Sequence, residues 1–487
     1  MRTGNSTQLS RFRVVAAAVL LTSGTVGSAA FVGVGPASAA CPGTAINNST
    51  LTLPLVATVL GAPALWAAGF NGSGVDVAVI DTGINAVPGL ASSGKIVDAV
   101  DLSFDAPKAN LRYRDAYGHG TNMAGIIAGD GTGGAATIGV APGARLINVK
   151  VGAGDGAVDI SQVIAALDWI TQNRTVNGRN IRVVNLSFDT DGSVDFRTDP
   201  LTHAVENAWK AGIVVVVSAG NDGRAVGNVE QHLGNPALDP YVLAVAGSEW
   251  DPAKLKVKAA AWSSMGDGER NPDIVSPGAS VASLRVPGSF LDTTYPAARV
   301  VDPVTCAQLF RGSGTSQSAA ATSGAVALLL QQRPTLTPDQ VKDVLTRSAL
   351  PGTPNSVQSV GSGLINVAGA SVTAPRSVTQ SFATSSGTGS IETGRGTFHV
   401  TGATSGDILR GEYQAFLGGF SAQTWAGASD RKAAWTNVTF DSAGRMATGT
   451  WMGSTWSGST WSGSTWSGST WSGSTWSGST WSGIGWS

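Results

Sequence analysis

Between residues 65 and about 371, short apolar runs alternate with longer runs of helical period. Residues 75–80, 145–151, 181–186, 213–217 and 241–245 are short and rich in Val, Ile and Leu, which predicts strands covered on both faces. Residues 119–128, 160–170, 201–211, 316–332 and 338–348 carry helix-like patterns. This alternation predicts an α/β fold with a doubly wound, mostly parallel sheet, whose site would lie at the carboxyl ends of the strands.

The pattern changes after residue 371. Residues 371–391 are rich in Ser, Thr and Gly and read as a linker, and 392–447 alternate in a way that predicts a small β-rich module. Trp451, Trp456, Trp461, Trp466, Trp471, Trp476, Trp481 and Trp486 then recur every five residues, mostly as Trp-Ser-Gly-Ser-Thr. A five-residue period matches neither helix nor strand. The low-complexity tail is either a stack of short strands turning at glycine or a flexible polar segment.

At the other end, Arg2, Arg11 and Arg13 precede an apolar stretch from Val14, and Ala37-Ser38-Ala39 offers a small-residue cleavage site. That is the layout of a secretory signal, with a mature chain starting near Ala40 or Cys41 and a secreted, extracellular or cell-wall location. The apolar stretch is short for a membrane anchor, and Ser38 stands where a lipid-attachment motif needs an apolar residue. No later run is apolar enough to span a bilayer as a helix. The expected division is a signal peptide at 1–39, the α/β domain at 40–373, linker and β-rich module at 374–447, and the repeat tail at 448–487.

Of 487 residues, 42% are apolar and 13% charged, with a net charge of −1. A large core is affordable, and no basic field points to nucleic acid. Cys41 and Cys306 are the two cysteines; in an oxidising compartment they form one disulfide or stand as two thiols, and the sequence leaves both open.

Asp81-Thr82-Gly83 closes the first predicted strand, Gly118-His119-Gly120-Thr121 opens a predicted helix, and Gly314-Thr315-Ser316 opens another. Each has a bland reading. Asp-Thr-Gly also occurs where paired aspartates share a proton, but it appears once here; a histidine is more often structural; a serine is a good helix N-cap. Together they supply a nucleophilic hydroxyl, a base to take its proton and a carboxylate to orient the base. Ser218-Ala219-Gly220-Asn221 adds a side-chain amide at a strand end, able to donate to a developing oxyanion.

These segments, with Pro272-Asp273-Ile274-Val275 and Pro277-Gly278, resemble the subtilisin-like serine proteases (subtilases, peptidase S8) over residues 65–371. The resemblance implies a secreted endopeptidase working through an acyl-enzyme, with Asp81, His119 and Ser316 as catalytic triad and Asn221 as oxyanion donor. It implies a protein or peptide substrate held by Ser187, Phe188 and Asp189, with Gly234 as floor of the primary specificity pocket. No cofactor is needed for the chemistry. Structural calcium is common in the family, but residues 129–138 offer no evident ligand beyond Asp130, and no metal site is assigned.

The chain departs from the family at several points. Asp189 replaces a usual glycine, Val158 and Asp159 replace small residues on the opposite cleft edge, and Asp222 follows Asn221, so three acids are expected near one cleft. They suggest tolerance for Lys or Arg in the substrate; the plainer reading of each is a solvated loop carboxylate. Gln317 and Ser318 alter the helix after Ser316, and Asn122 stands where a second histidine is common. Residues 41–74 are too few for a folded inhibitory prodomain. An esterase of the α/β-hydrolase type fails, because it needs Gly-x-Ser-x-Gly and the reverse order of His and Ser. The alternative of another class is a protease-like scaffold acting as a surface protein, whose Trp tail binds cell-wall or extracellular polysaccharide through its indoles.

Overall fold

The computed structural model describes residues 41–456 apart from 193–194, 224, 227–228, 231–232, 252–255, 352–356, 402–407, 417, 443–444 and 453. The expected signal segment and the repeats beyond residue 456 lie outside the described residues.

The main sheet is built from β1 (Asp76–Asp81), β2 (Ile96–Asp101), β3 (Arg145–Lys150), β4 (Ile181–Leu186), β5 (Val214–Ser218), β6 (Leu243–Asp251), β7 (Lys256–Ala259) and β8 (Ile274–Pro277). Its order is β7-β6-β5-β4-β1-β3-β2, with β8 also paired to β6. Every pairing is parallel except β7 with β6. From β1 the chain passes to β2 at one edge, returns to β3 between them, and then crosses to the other side of β1, where β4, β5 and β6 follow outward in order. The strand order therefore reverses beside β1, where open α/β sheets form their crevice. Val77, Ala78, Val79 and Ile80 are buried on both faces, which is why β1 reads as a continuous apolar run.

The helices used below are α1 (Leu53–Leu60), α2 (His119–Ala128), α3 (Ile160–Asn173), α4 (Pro200–Lys210), α5 (Thr315–Gln332), α6 (Pro338–Ser348) and α7 (Ala422–Asp430). α5 is buried from Thr315 to Leu330 and packs against α2 and against β4, β5 and β6. α1, which the apolar pattern did not single out, starts at Thr52, whose hydroxyl caps the Leu55 N–H, with Pro54 in the first turn. Leu51–Thr52 pairs with Val281–Leu284 in a second sheet that also holds Gln308–Gly312 and Arg299–Val301. Cys41 and Cys306 form a disulfide across a sequence separation of 265 residues.

The described residues of the segment expected as a linker and small β-rich module belong to one compact unit with the α/β domain. Arg376 pairs with Asp343 on α6, Gln380 bonds to Asp339, and the Ser385 N–H donates to Glu206 on α4, so the Ser/Thr-rich stretch is strapped to the domain. Beyond it, α7, β9 (Trp435–Phe440) and β10 (Met446–Trp451) bring Trp425, Trp435 and Trp451 into the main hydrophobic core. Burying an indole contributes on the order of 3–5 kcal/mol before ordering costs. Asp168 on α3 accepts hydrogen bonds from Trp425 Nε1 at 2.8 Å, Trp451 Nε1 at 2.9 Å and the Ser429 hydroxyl. The first tryptophan of the repeat series is thus a core residue. Among the described residues no helix is long and apolar enough to cross a membrane.

Candidate active site

Asp81 is the last residue of β1, and His119 the first of α2. The two side chains are fully buried, and His119 Nδ1 lies 2.9 Å from Asp81 Oδ1 and 3.0 Å from Oδ2. The glycines make this contact possible. Gly83 has φ +117°, and a Cβ on Gly120 would fall 2.1 Å from the Gly83 carbonyl oxygen and 3.0 Å from Asp81 Oδ1. The helix start reaches the strand end because Gly120 lacks a side chain, and a Cβ on Gly83 would meet the backbone of Arg114 and Asp115 at 2.9 Å.

Asp115 fixes the histidine's backbone. Its carboxylate accepts from the Gly118 N–H at 2.6 Å, the Thr121 N–H at 2.8 Å and the Thr82 hydroxyl at 2.8 Å, while Thr82 Oγ1 accepts from the Gly120 N–H at 2.9 Å. This residue was missed in the sequence. Its signal is an Asp three residues ahead of Gly118, the reach of a side chain capping backbone N–H groups at a helix start. Asn122, which stands where a second histidine is common, donates its amide to the carbonyls of Leu284 and Phe310 and so ties α2 to the second sheet.

Ser316 is the second residue of α5, the helix packed against α2. It is 1% exposed, and its hydroxyl has no hydrogen-bond partner among the described residues. Thr315, just before it, donates its N–H to Asn221 Oδ1 at 2.9 Å. A backbone N–H can only donate, so the Asn221 atom facing it is the oxygen, and the NH₂ group is turned away as a donor. Ser318 donates to the Ser276 carbonyl, which anchors the unusual Gln317-Ser318 turn of α5 on β8.

Burial raises the Asp81 carboxyl above its ordinary range, opposed by His119 beside it and by the Thr82 N–H. Burial also lifts Asp189 well above that range, and the like charges of Asp222 and Asp191 push it the same way.

The expected substrate-contact residues divide. Ser187 accepts from the Asn185 amide inside the fold, and Phe188 is a core residue, so neither side chain faces outward. Asp189 lies against Gly234. Asp159 does not join the cleft. It is the N-cap of α3 in a capping box with Gln162 and is paired with buried Arg395 at 2.7 Å. It is therefore neither a substrate contact nor a solvated loop carboxylate.

Calcium requires six to eight oxygen ligands. In residues 129–138 both Asp130 oxygens are occupied, by the Thr132 N–H and hydroxyl and by the Ser92 N–H, so this loop does not fit such a cage. Among the described residues no group of three or more His, Cys, Asp or Glu side chains is placed to share a metal ion.

Residues 72–388 match the family model of the Subtilase family, peptidase S8. The chain belongs to this family, that of the subtilisin-type serine endopeptidases. It is 35% identical over 305 residues to serine protease AprX of Bacillus subtilis, covering 61% of this chain and 66% of AprX. Subtilisin NAT of Bacillus subtilis subsp. natto is 34% identical over 318 residues, covering 65% of this chain and 70% of that protein. An extracellular serine proteinase of a Thermus species is 33% identical over 291 residues, covering 60% and 58%. The crystal structure of fervidolysin from Fervidobacterium pennivorans superposes with a TM-score of 0.53 at 24% identity, over 66% of this chain and 46% of that one, and shares the fold.

Proposed function

We propose that this subtilase is a secreted serine endopeptidase that cleaves proteins or peptides through an acyl-enzyme. Ser316 Oγ attacks the scissile carbonyl while His119 takes its proton. Asp81 holds the Nδ1–H tautomer, which leaves Nε2 as the base, and stabilises the imidazolium. Asn221 Nδ2–H and the Ser316 N–H receive the oxyanion. His119 then protonates the leaving amine, and water, activated the same way, releases the acyl group. One observation carries this reading: the Asp81 carboxylate grips His119 Nδ1 at the head of a helix that packs beside the Ser316 helix. Secretion is supported by the Cys41–Cys306 disulfide, by the expected leader at 1–39 and by the extracellular Thermus relative.

The test is peptide hydrolysis by the purified chain. Ser316→Ala is expected to lose ~10⁶ in kcat, the order seen for subtilisin itself. Asn221→Ala is expected to lose about 10²–10³, again the subtilisin magnitude. Wild-type rates from Ser316→Ala would refute the reading.

A further inference from the structure

Asp189 takes no part in the chemistry above, yet it lies beside it. The residue is 4% exposed. Its carboxylate runs across a slot between Gly220 and Gly234. A Cβ on Gly234 would fall 2.2 Å from Oδ2 and 2.7 Å from Cγ, and one on Gly220 would fall 3.0 Å from Oδ2. Gly234 must be glycine for the carboxylate to lie there, and a side chain at Gly220 would crowd it.

The slot is built by backbone pairing. Thr190 and Asn235 exchange N–H···O bonds at 2.9 and 3.0 Å, the Gly234 N–H donates to Ala219, and the Ser264 N–H donates to Gly220. These segments are fixed, and so is the direction of the side chain they carry.

Among the described residues, no donor and no cation meets the Asp189 carboxylate; the charged groups acting on it are Asp222 and Asp191, of its own sign. An ionised carboxylate held away from water without a partner is unfavourable. The arrangement makes physical sense if the partner arrives from outside. Gly220 is joined directly to Asn221. A substrate residue whose carbonyl oxygen lies on the Asn221 amide therefore has its own side chain next to this slot.

We propose that Asp189 forms the base of the primary side-chain pocket and selects substrates with Lys or Arg at the residue supplying the scissile carbonyl. The assignment rests on the endopeptidase reading. A guanidinium or ammonium group supplies the missing counter-charge and donors, and Asp222 and Asp191 add to the same attractive field.

The experiment compares kcat/KM for peptides identical except for Arg, citrulline or Leu at that residue, with fluorophosphonate labelling of the same samples. Citrulline keeps the shape of Arg and removes its charge. Arg is expected to exceed citrulline by at least about 30-fold, since loss of one member of a buried charge pair is costly. In Asp189→Asn the ratio is expected to fall to within about 3-fold. If that variant does not fold, the wild-type ratio and competitive inhibition by benzamidine, against none by benzyl alcohol, decide alone. A labelled enzyme that prefers Leu, treats Arg and citrulline alike or cleaves none of the three overturns the pocket assignment and leaves the endopeptidase reading standing. Neither labelling nor cleavage overturns the endopeptidase reading itself.

Discussion

Asp168 and Asp189 are both buried aspartates, and the fold treats them in opposite ways. Asp168, beneath the C-terminal segment, is met by two indole N–H groups and a hydroxyl from chain more than 250 residues away. Asp189, beside the candidate active site, is met by no donor among the described residues and faces like charge. Burial raises both carboxyls. The difference lies in what surrounds them. A buried carboxylate whose lone pairs are filled from within holds architecture together. One whose lone pairs are empty is a liability that function can explain.

The sharpest way to break this contrast is at the filled end. Trp451→Ala removes a buried indole and one of the Asp168 donors, and should cost about 3–5 kcal/mol in denaturant titration. Asp168→Ala should cost roughly 3 kcal/mol, because it leaves two indole N–H groups and a hydroxyl buried without acceptors. The double variant should lose less than the sum, since both changes break one bond. Strict additivity would show that Asp168 does not anchor the segment.

At the empty end the effect is smaller and has the other sign. The folded Asp189 carboxyl titrates well above its unfolded value, so the unfolded chain gives up its proton first. Stability contributed by this residue is then lost as pH rises past about 4, the unfolded value, toward the folded one. Asp189→Asn escapes that loss. Its melting temperature should exceed wild type at pH 8, and the difference should shrink toward pH 4. A constant or reversed difference would mean that the carboxylate has a partner.

Much of this was legible in the chain. The strand at Ile181–Leu186 and the helices at His119–Ala128 and Pro338–Ser348 fall where periodicity puts them, because they are buried in the regular way that apolar patterns report. The Asp81–His119 contact follows from a motif whose glycines exist for close approach. The expected cleft position of Asp159 rested on resemblance to the family, and the residue caps a helix instead. The Asp159-x-x-Gln162 spacing ahead of an apolar run is itself a capping box, and it gives the local role. Helix α1 was announced by Thr52 and Pro54 more than by its apolar period. The docking of Trp425, Trp435 and Trp451 could not be read locally. Ser, Gly and Thr around them suggest a linker or repeat, and their burial depends on acceptors such as Asp168 far back in the chain.

The bond between Cys41 and Cys306 closes a ring that holds Asp81, His119 and Asn221 but stops short of Ser316. A proteinase is exposed to its own kind, and a single nick inside that ring releases nothing. The two pieces stay tethered and run as one band until a reductant parts them.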